Sequence, residues 1–347
     1  MKITPTLRKL VSATALLAVC GIFWPLPSSG QTRLRLGTLL PKGSSQTQAL
    51  EEMGQQWKAA TGGAVTLTIY PGTMGGEKEL VMRVRAGQLQ AATLSVGGLS
   101  DIDPTVGAVQ KIPLLYHSLE EMEYVRSKLQ ADLEHRLEDK GFIVLSWTDA
   151  GWVYIFSRQP YTKPSEFRER KSKIFVTASD LKEVDLINNL GFQAVPLEWS
   201  DAFVSLQTGL VDTVPVTPFY AEASQIDTVA KNLLEVKYVP LVGATVITKK
   251  VWDSLTADQR EKMKKIAIDT GQKIQTRSRE ESQEAIDAMQ KRGLQVHLVS
   301  PDLENEWHKY AESVYPKVRG NMVPADVFDK TIALVNEYRA SQKASHP

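Results

Sequence analysis

One run of the sequence, residues 257–292, constrains the fold more than any other. The run contains no proline and only one glycine, Gly271, and its pattern is helical nearly throughout. At 1.5 Å per residue, about 30 helical residues span roughly 45 Å, which is more than the diameter of one small domain. We therefore expect a helix that bridges two domains.

The composition favours a globular chain of about two domains. Its 347 residues, 42% hydrophobic and 23% charged, exclude a wholly disordered chain, a collagen-like chain and a polytopic membrane protein. The 41 Lys and Arg residues balance the 40 Asp and Glu residues, so neither nucleic acid nor an anionic membrane is an expected partner. The one cysteine, Cys20, excludes an intrachain disulfide and a cysteine-based zinc site.

The first 30 residues have the pattern of an export signal. A basic start is followed by the uncharged run 10–26 and then by small residues at Ser28 and Gly30. We expect cleavage before Gln31 and a mature protein in the periplasm. Two alternatives remain open: retention of the uncharged run as a membrane anchor, and lipidation of Cys20.

Strands and helices alternate along the rest of the chain. The predicted strands are residues 33–40, 65–70, 92–96, 112–116, 142–147, 152–157, 174–177, 194–197, 211–216 and 239–248. The predicted helices are residues 44–60, 77–89, 118–140, 180–190, 202–210, 219–234, 257–292 and most of 303–340. Residues 160–173 are polar, contain two prolines and are expected to form a surface loop. This alternation predicts an α/β fold with largely parallel sheets and helices on their faces.

Signals for catalysis are weak. The sequence contains no G-x-S-x-G, H-E-x-x-H or G-x-G-x-x-G motif, and the glycine-rich residues 72–78 lack the spacing of a phosphate-binding loop. Residues 179–182 match S-x-x-K, but without the companion motifs of that enzyme class they are read as a helix cap. The five histidines are scattered, and none forms a ligand pair at i, i+4. We expect no catalytic residue, no metal and no cofactor.

Five local motifs occur in order along the chain. They are residues 70–80 (YPGTMGGEKEL), 85–89 (RAGQL), 112–116 (IPLLY), 190–197 (LGFQAVPL) and 205–212 (SLQTGLVD). Together they resemble the DctP-type solute-binding proteins of tripartite ATP-independent periplasmic (TRAP) transporters. The resemblance covers essentially the whole mature chain.

The resemblance implies a two-domain clamshell that captures a solute in its cleft and passes it to the membrane subunits of a transporter. Each domain would hold a mixed, mostly parallel sheet flanked by helices, and a long helix would span both domains. Closure around the ligand would follow a hinge mechanism. The expected boundaries are 1–30 for the signal, 31–150 with 241–280 for domain I, 151–240 with 281–330 for domain II, and 331–347 for a C-terminal helix and tail.

The sequence departs from the family at three places where the resemblance implies ligand contacts. Phe175 stands where most members have the arginine of a "KIRV" strand, which pairs with a ligand carboxylate. Val153 replaces the arginine of a "GxR" segment, and residues 212–217 replace the amides of "DGQENP" with valine and proline. Each change removes charge or hydrogen-bonding capacity. An unpaired carboxylate in such a cleft is unfavourable, so we expect an apolar or amphipathic small molecule.

The expected ligand-binding residues come from segments that the resemblance places near the cleft or hinge. They are Leu40, Ser95, Val96, Gly97, Trp152, Val153, Phe175, Trp199, Thr213, Val214, Val216 and Phe219. In lacking this arginine, the chain resembles a subgroup of the family whose transport systems include a tetratricopeptide-repeat lipoprotein. Such a lipoprotein is therefore a further expected partner. Two other functions remain open: binding of an organic anion through Lys173 or Arg158, and a clamshell that serves as an interaction or sensor protein.

Overall fold

A computed structural model describes residues 31–345 of the chain, and the expected export signal lies outside these residues. The strands are β1 (Thr32–Thr38), β2 (Val65–Pro71), β3 (Ala91–Ser95), β4 (Phe142–Ser157), β5 (Lys173–Thr177), β6 (Gln193–Leu197), β7 (Thr213–Val216), β8 (Asn232–Thr248) and β9 (Gln295–His297). The helices are α1 (Ser45–Ala60), α2 (Glu77–Arg85), α3 (Val96–Ser100), α4 (Leu119–Asp139), α5 (Pro164–Glu169), α6 (Leu181–Asn189), α7 (Ala202–Thr208), α8 (Pro218–Ala223), α9 (Lys249–Ser254), α10 (Ala257–Lys291), α11 (Pro301–Glu312), α12 (Tyr315–Val318) and α13 (Ala325–Ser345). Among these helices none is long and apolar enough to cross a membrane.

The strands form a sheet in the order β2-β1-β3-β8-β4-β7-β5-β6, with β9 added to β8. In the first half, β1 runs parallel to both β2 and β3. In the second half, β5 runs parallel to both β6 and β7. The two long strands β4 and β8 pair antiparallel and join the halves. The predicted α/β fold is confirmed, and the long strands β4 and β8 join what was expected to be one sheet per domain into a single continuous sheet.

The long strands change register where they pass between the halves. Asp149 pairs with Val242 and Trp152 pairs with Pro240, so β4 carries one extra residue at this point. Gly151 adopts φ 77°, a left-handed conformation that favours glycine. We call residues 149–152 and 240–242 the strand crossing. The sequence predicted two strands here, whereas the structure has one bent strand.

Helix α10 confirms the predicted long helix, with 35 residues that begin after a capping box at Thr256. It packs on β4, on α1 of the first half and on α8 of the second half. Its single glycine lies where the helix packs directly against Ser146 and Trp147 of β4. A Cβ atom at Gly271 would lie 2.9 Å from Cβ of Ser146 and 3.0 Å from the carbonyl oxygen of Trp147.

Replacing this glycine is expected to destabilise the protein, although alanine normally stabilises a helix by about 0.5–1 kcal/mol over glycine. At Gly271→Ala the added methyl group pushes α10 away from β4, an overpacking cost of about 1–3 kcal/mol. Urea unfolding measures the change. Thr276→Ala, at an exposed position on the same helix, is the control and should shift stability by less than about 0.5 kcal/mol. A more stable Gly271→Ala protein would contradict this packing.

Alternate residues of the strands of the second half face opposite hydrophobic clusters. Phe156, Phe175 and Val214 belong to a cluster that includes residues of α10. Ile155 and Ile174 belong to a cluster on the other face, under α11. Side chains alternate between the faces of a strand, so this register decides which residues approach the cleft.

The prediction of a strand at residues 112–116 is wrong. This segment is an irregular loop in which Leu114 has φ 50°, and its N–H group donates a hydrogen bond to the carbonyl oxygen of Tyr238 over 2.8 Å. Pro113 has no N–H group to donate to a strand partner. The apolar pattern instead reflects burial of Ile112 and Tyr116 in the core.

Two further predictions fail because distant pairing and capping override the local pattern. The expected loop at residues 160–173 contains α5, whose first residue is a proline and whose Glu166 side chain accepts hydrogen bonds from the N–H groups of Thr162 and Lys163. The expected helix at residues 219–234 is helical chiefly in α8. Its last residues already belong to β8, where Leu233 pairs with Phe156 of β4.

Candidate functional site

A cavity of about 100 Å³ opens at the carboxyl ends of β1 and β3, and we call it the cleft cavity. Thr38 and Ser95 from these strand ends, residues of the strand crossing, Ser278 of α10, and Phe219 and Tyr220 of α8 line it. Both halves of the fold therefore contribute walls. Ligands of open α/β sheets bind at the carboxyl ends of parallel strands, so this position suits a binding site.

Among the described residues that line the cleft cavity, none is lysine or arginine. Its two charged side chains are the carboxylates of Glu77 and Asp149. Glu77 accepts hydrogen bonds from the N–H groups of Ser95 and Gly98, over 2.5 and 2.8 Å, and from the Ser95 hydroxyl over 2.6 Å. These contacts hold the junction of β3 and α3 and give each oxygen of the carboxylate at least one hydrogen-bond donor.

The Asp149 carboxylate also has hydrogen-bond partners. Its side chain is 3% exposed and receives two hydrogen bonds from Arg279, from Nε over 2.9 Å and from Nη2 over 2.7 Å. Its Oδ1 also accepts a hydrogen bond from the N–H group of Gly151 over 3.1 Å. Arg279 lies on α10 and also pairs with Glu123. The pair fixes the strand crossing against α10 and neutralises the carboxylate.

An aromatic wall closes the cavity on the side of the second half. The Tyr220 hydroxyl donates a hydrogen bond to the carbonyl oxygen of Leu39, across the cleft, over 3.4 Å. Burial raises the pKa of Tyr220, so the hydroxyl keeps its proton at neutral pH. Behind it the rings of Tyr220 and Trp199 stack with centroids 6.4 Å apart, and those of Trp199 and Phe175 lie 4.7 Å apart.

The structure brings only part of the predicted site to this cavity. Leu40, Ser95 and Phe219 line it. Gly97 lies beside the Glu77 carboxylate, so close that a Cβ atom at this position would lie 3.1 Å from Oε2. Trp199 stands behind Tyr220, in contact with its ring.

The remaining predicted residues are buried away from the cavity lining. Phe175, Val214 and Val216 pack in the core cluster of the second half. Val96 and Trp152 pack in the core of the first half. The last two predicted residues, Val153 and Thr213, are also buried. Thr213 faces a second cavity of about 40 Å³ on the opposite side of the sheet, which is lined mainly by apolar side chains.

Several polar residues of the cavity, among them Gln46, Asp149 and Ser278, are absent from the sequence-based set. The first lies in the opening turn of α1 and the last on α10, more than two hundred positions later. No local motif links them, because only the packing of α10 on α1 brings them together. The one local signal is the acidic Asp149 within an otherwise apolar strand pattern.

The cations proposed for binding an anion do not line the cavity. Lys173 and Arg158 are exposed, and the Lys173 ammonium donates a hydrogen bond to the carbonyl oxygen of Gly209 over 3.4 Å. The described residues also contain no group of three or more His, Cys, Asp or Glu side chains that could hold a metal ion.

An α/β fold with two halves around a cleft at the strand ends is typical of periplasmic solute-binding proteins. The sequence model of the bacterial extracellular solute-binding protein family 7, DctP, matches residues 36–321. The chain therefore belongs to this family. It is a TRAP periplasmic solute-binding protein and not an enzyme. The sequence-based prediction of the family and the prediction that the protein is not an enzyme are therefore confirmed.

Individual relatives agree with this assignment. The C4-dicarboxylate-binding periplasmic protein DctP of Rhodobacter capsulatus is 24% identical over 281 residues, which cover 80% of this chain and 82% of that protein. The 2,3-diketo-L-gulonate-binding periplasmic protein YiaO of Escherichia coli is 23% identical over 294 residues, 83% of this chain and 88% of that protein. A TRAP solute-binding protein from Chromohalobacter salexigens with bound D-glucuronate superposes with TM-score 0.79 at 20% identity, covering 87% of this chain and 99% of that one.

Proposed function

We propose that this protein captures a small uncharged solute, apolar or amphipathic, in the cleft cavity. The observation that carries the proposal is the absence of lysine and arginine from the described residues that line the cavity. Of its two carboxylates, Asp149 is paired with Arg279, and Glu77 accepts hydrogen bonds from the neutral donors of Ser95 and Gly98. Neither favours an anionic ligand.

The cost of burying a carboxylate distinguishes this chain from relatives that are named for carboxylate ligands. A carboxylate that enters this cavity loses water without gaining a cation, and it approaches the Glu77 carboxylate, which is held by neutral donors. An apolar group instead gains about 25 cal/mol for each Å² that it buries against the cavity. The side chains that supply this surface include Leu39, Leu40, Phe219 and Tyr220.

Calorimetric titration tests the proposal. Succinate and D-glucuronate, added at up to about 1 mM, are expected to give no saturable heat. A dissociation constant of about 1 mM corresponds to a binding free energy of about −4 kcal/mol. Micromolar binding of either acid would overturn the proposal. It would favour the open alternative of an organic anion held by Lys173 or Arg158, although both residues are exposed and lie outside the cavity lining.

We further propose that the protein works in the periplasm with the membrane subunits of a TRAP transporter, and with a tetratricopeptide-repeat lipoprotein as an additional partner. The support is family membership together with the sequence pattern of the first 30 residues. The mature protein is expected to begin at Gln31. N-terminal sequencing of the exported protein measures this, and a lipidated Cys20 as first residue would contradict it.

The domain boundaries expected from the sequence fit a hinge at the strand crossing, where Gly151 has a positive φ. Away from this crossing an ion pair links the halves. The Lys111 ammonium lies 2.6 Å from the Asp180 carboxylate, and both side chains are largely buried, at 13% and 16% exposed. Asp180 also caps α6 by accepting a hydrogen bond from the N–H group of Glu183 over 3.1 Å. We propose that this pair holds the closed arrangement.

Breaking the pair is expected to open the cleft. Lys111→Gln leaves Asp180 without its cation, so the closed form loses stability and the affinity for ligand falls about tenfold, or about 1.4 kcal/mol. Small-angle X-ray scattering should show a larger radius of gyration than for the wild type. Lys58→Gln, the same charge change at an exposed site of the first half, is the control. An unchanged radius and affinity would contradict the role of the pair.

A further inference from the structure

We infer that Gln46 selects solutes that carry a hydrogen-bond donor, so that the ligand is a neutral amphiphile with a hydroxyl or amide N–H group. The inference rests on the proposed function and narrows it. Gln46 lies in the first turn of α1, lines the cleft cavity and is 3% exposed.

The orientation of the Gln46 amide follows from its neighbours. Its Nε2 group donates hydrogen bonds to Oγ of Ser278 over 3.2 Å and to Oε2 of Glu281 over 3.1 Å. An ionised carboxylate only accepts hydrogen bonds, so the NH₂ group must face Glu281. Glu281 is held in turn by the Ser45 hydroxyl over 2.8 Å and by Nε of Arg277 over 3.1 Å. This network holds the amide through its NH₂ group, so the oxygen is the polar atom of the Gln46 side chain that is left for a ligand.

The Gln46 oxygen, Oε1, is buried and has no hydrogen-bond partner among the described residues. The other polar side chains that line the cavity all have partners. Thr38 accepts from the N–H group of Leu40 over 3.2 Å, and Thr93 shares a hydrogen bond with Thr245 over 3.0 Å. The same holds for Glu77, Ser95, Thr148, Asp149, Tyr220 and Ser278. Among the described residues that line this cavity, Oε1 is therefore the one buried side-chain polar atom that has no hydrogen-bond partner.

An amide oxygen buried without a donor is unfavourable, and a ligand that supplies the donor removes this cost. A carboxylate oxygen cannot supply it, because it is itself an acceptor. A wholly apolar ligand leaves the oxygen unpaired. The chemistry that fits has a donor at the end formed by α1 and α10, and an apolar body toward Leu39, Phe219 and Tyr220.

Phenol and toluene test the inference, because they differ mainly in a hydroxyl against a methyl group. Both are about the size of benzene, which an apolar cavity of about 150 Å³ holds, so the cleft must widen slightly to admit them. In the wild type, calorimetry is expected to show phenol binding about tenfold more tightly than toluene. Gln46→Met should abolish this preference. Gln48→Met, on the exposed face of the same helix, should retain it.

The comparison of two probes within one variant cancels any general loss of stability, and circular dichroism melts report folding separately. Equal affinities for phenol and toluene in the wild type, or an unchanged preference in Gln46→Met, would overturn the role of Gln46 while leaving a neutral ligand in place. Benzoate binding more tightly than both probes would instead overturn the proposed function. Failure of both neutral probes to bind at millimolar concentration would overturn both.

Discussion

Phe175→Arg is expected to lower the free energy of unfolding by at least about 3–5 kcal/mol, the usual cost of deleting a buried aromatic ring. The Phe175 side chain is 4% exposed, packs among apolar residues such as Leu206 and Val214, and contacts the ring of Trp199. A guanidinium at this position loses that packing and in addition buries a charge among apolar groups. Urea unfolding measures the loss, and binding of the neutral ligand should fall with it.

The same substitution separates two interpretations of position 175. Phe175→Leu is the matched control, because it keeps an apolar side chain and should cost less than about 1.5 kcal/mol beyond the lost ring contact. The family resemblance implies that Phe175 lies in the ligand site, in which case arginine would restore affinity for small carboxylates. A Phe175→Arg protein as stable as the wild type that binds succinate would support that placement and contradict the core packing described above.

Arg279→Met is expected to have the second-largest effect, about 3 kcal/mol. The substitution keeps most of the aliphatic contact but removes both hydrogen bonds to Asp149, which is 3% exposed and then carries an unpaired buried charge. Because Asp149 lies at the strand crossing and lines the cleft cavity, affinity for the neutral ligand should fall as well.

A surface arginine provides the control for this experiment. Arg319 is about half exposed and donates two hydrogen bonds to the exposed Asp329, so it matches the bidentate geometry without the burial. Arg319→Met should cost less than about 1 kcal/mol, the usual range for surface pairs. Adding Asp149→Asn to Arg279→Met removes the unpaired charge and should recover part of the lost stability. Equal costs for the two arginine variants would contradict a structural role for the pair at the crossing.

Local sequence signals predict those elements of the fold whose causes are local. Ser44 caps α1 by accepting a hydrogen bond from the N–H group of Thr47, and Ser118 caps α4 in the same way through Glu121. The long α10 follows from an uninterrupted helical pattern. No local sequence signal explains the single Gly271. A glycine is needed there because β4 packs closely against α10 at this position.

The errors arise where distant partners decide the structure. Residues 112–116 look like a strand, but the N–H group of Leu114 bonds to Tyr238, far along the chain. Distant contacts also decide which residues line the cleft cavity. Family motifs led to Ser95 and Phe219, which line the cavity, whereas Gln46 reaches it only through the packing of α1 on α10. The part played by Phe175 in binding stays a prediction.

The charge of the natural ligand is the property that most directly tests whether the cavity selects uncharged solutes. Native mass spectrometry of protein purified from the periplasm without denaturation, followed by release and mass determination of the bound molecule, measures it. The released molecule is expected to be a small neutral compound with at least one hydroxyl or amide N–H group. A bound carboxylate, such as a uronate or a dicarboxylic acid, would contradict the central claim that a cavity without lysine or arginine selects uncharged solutes.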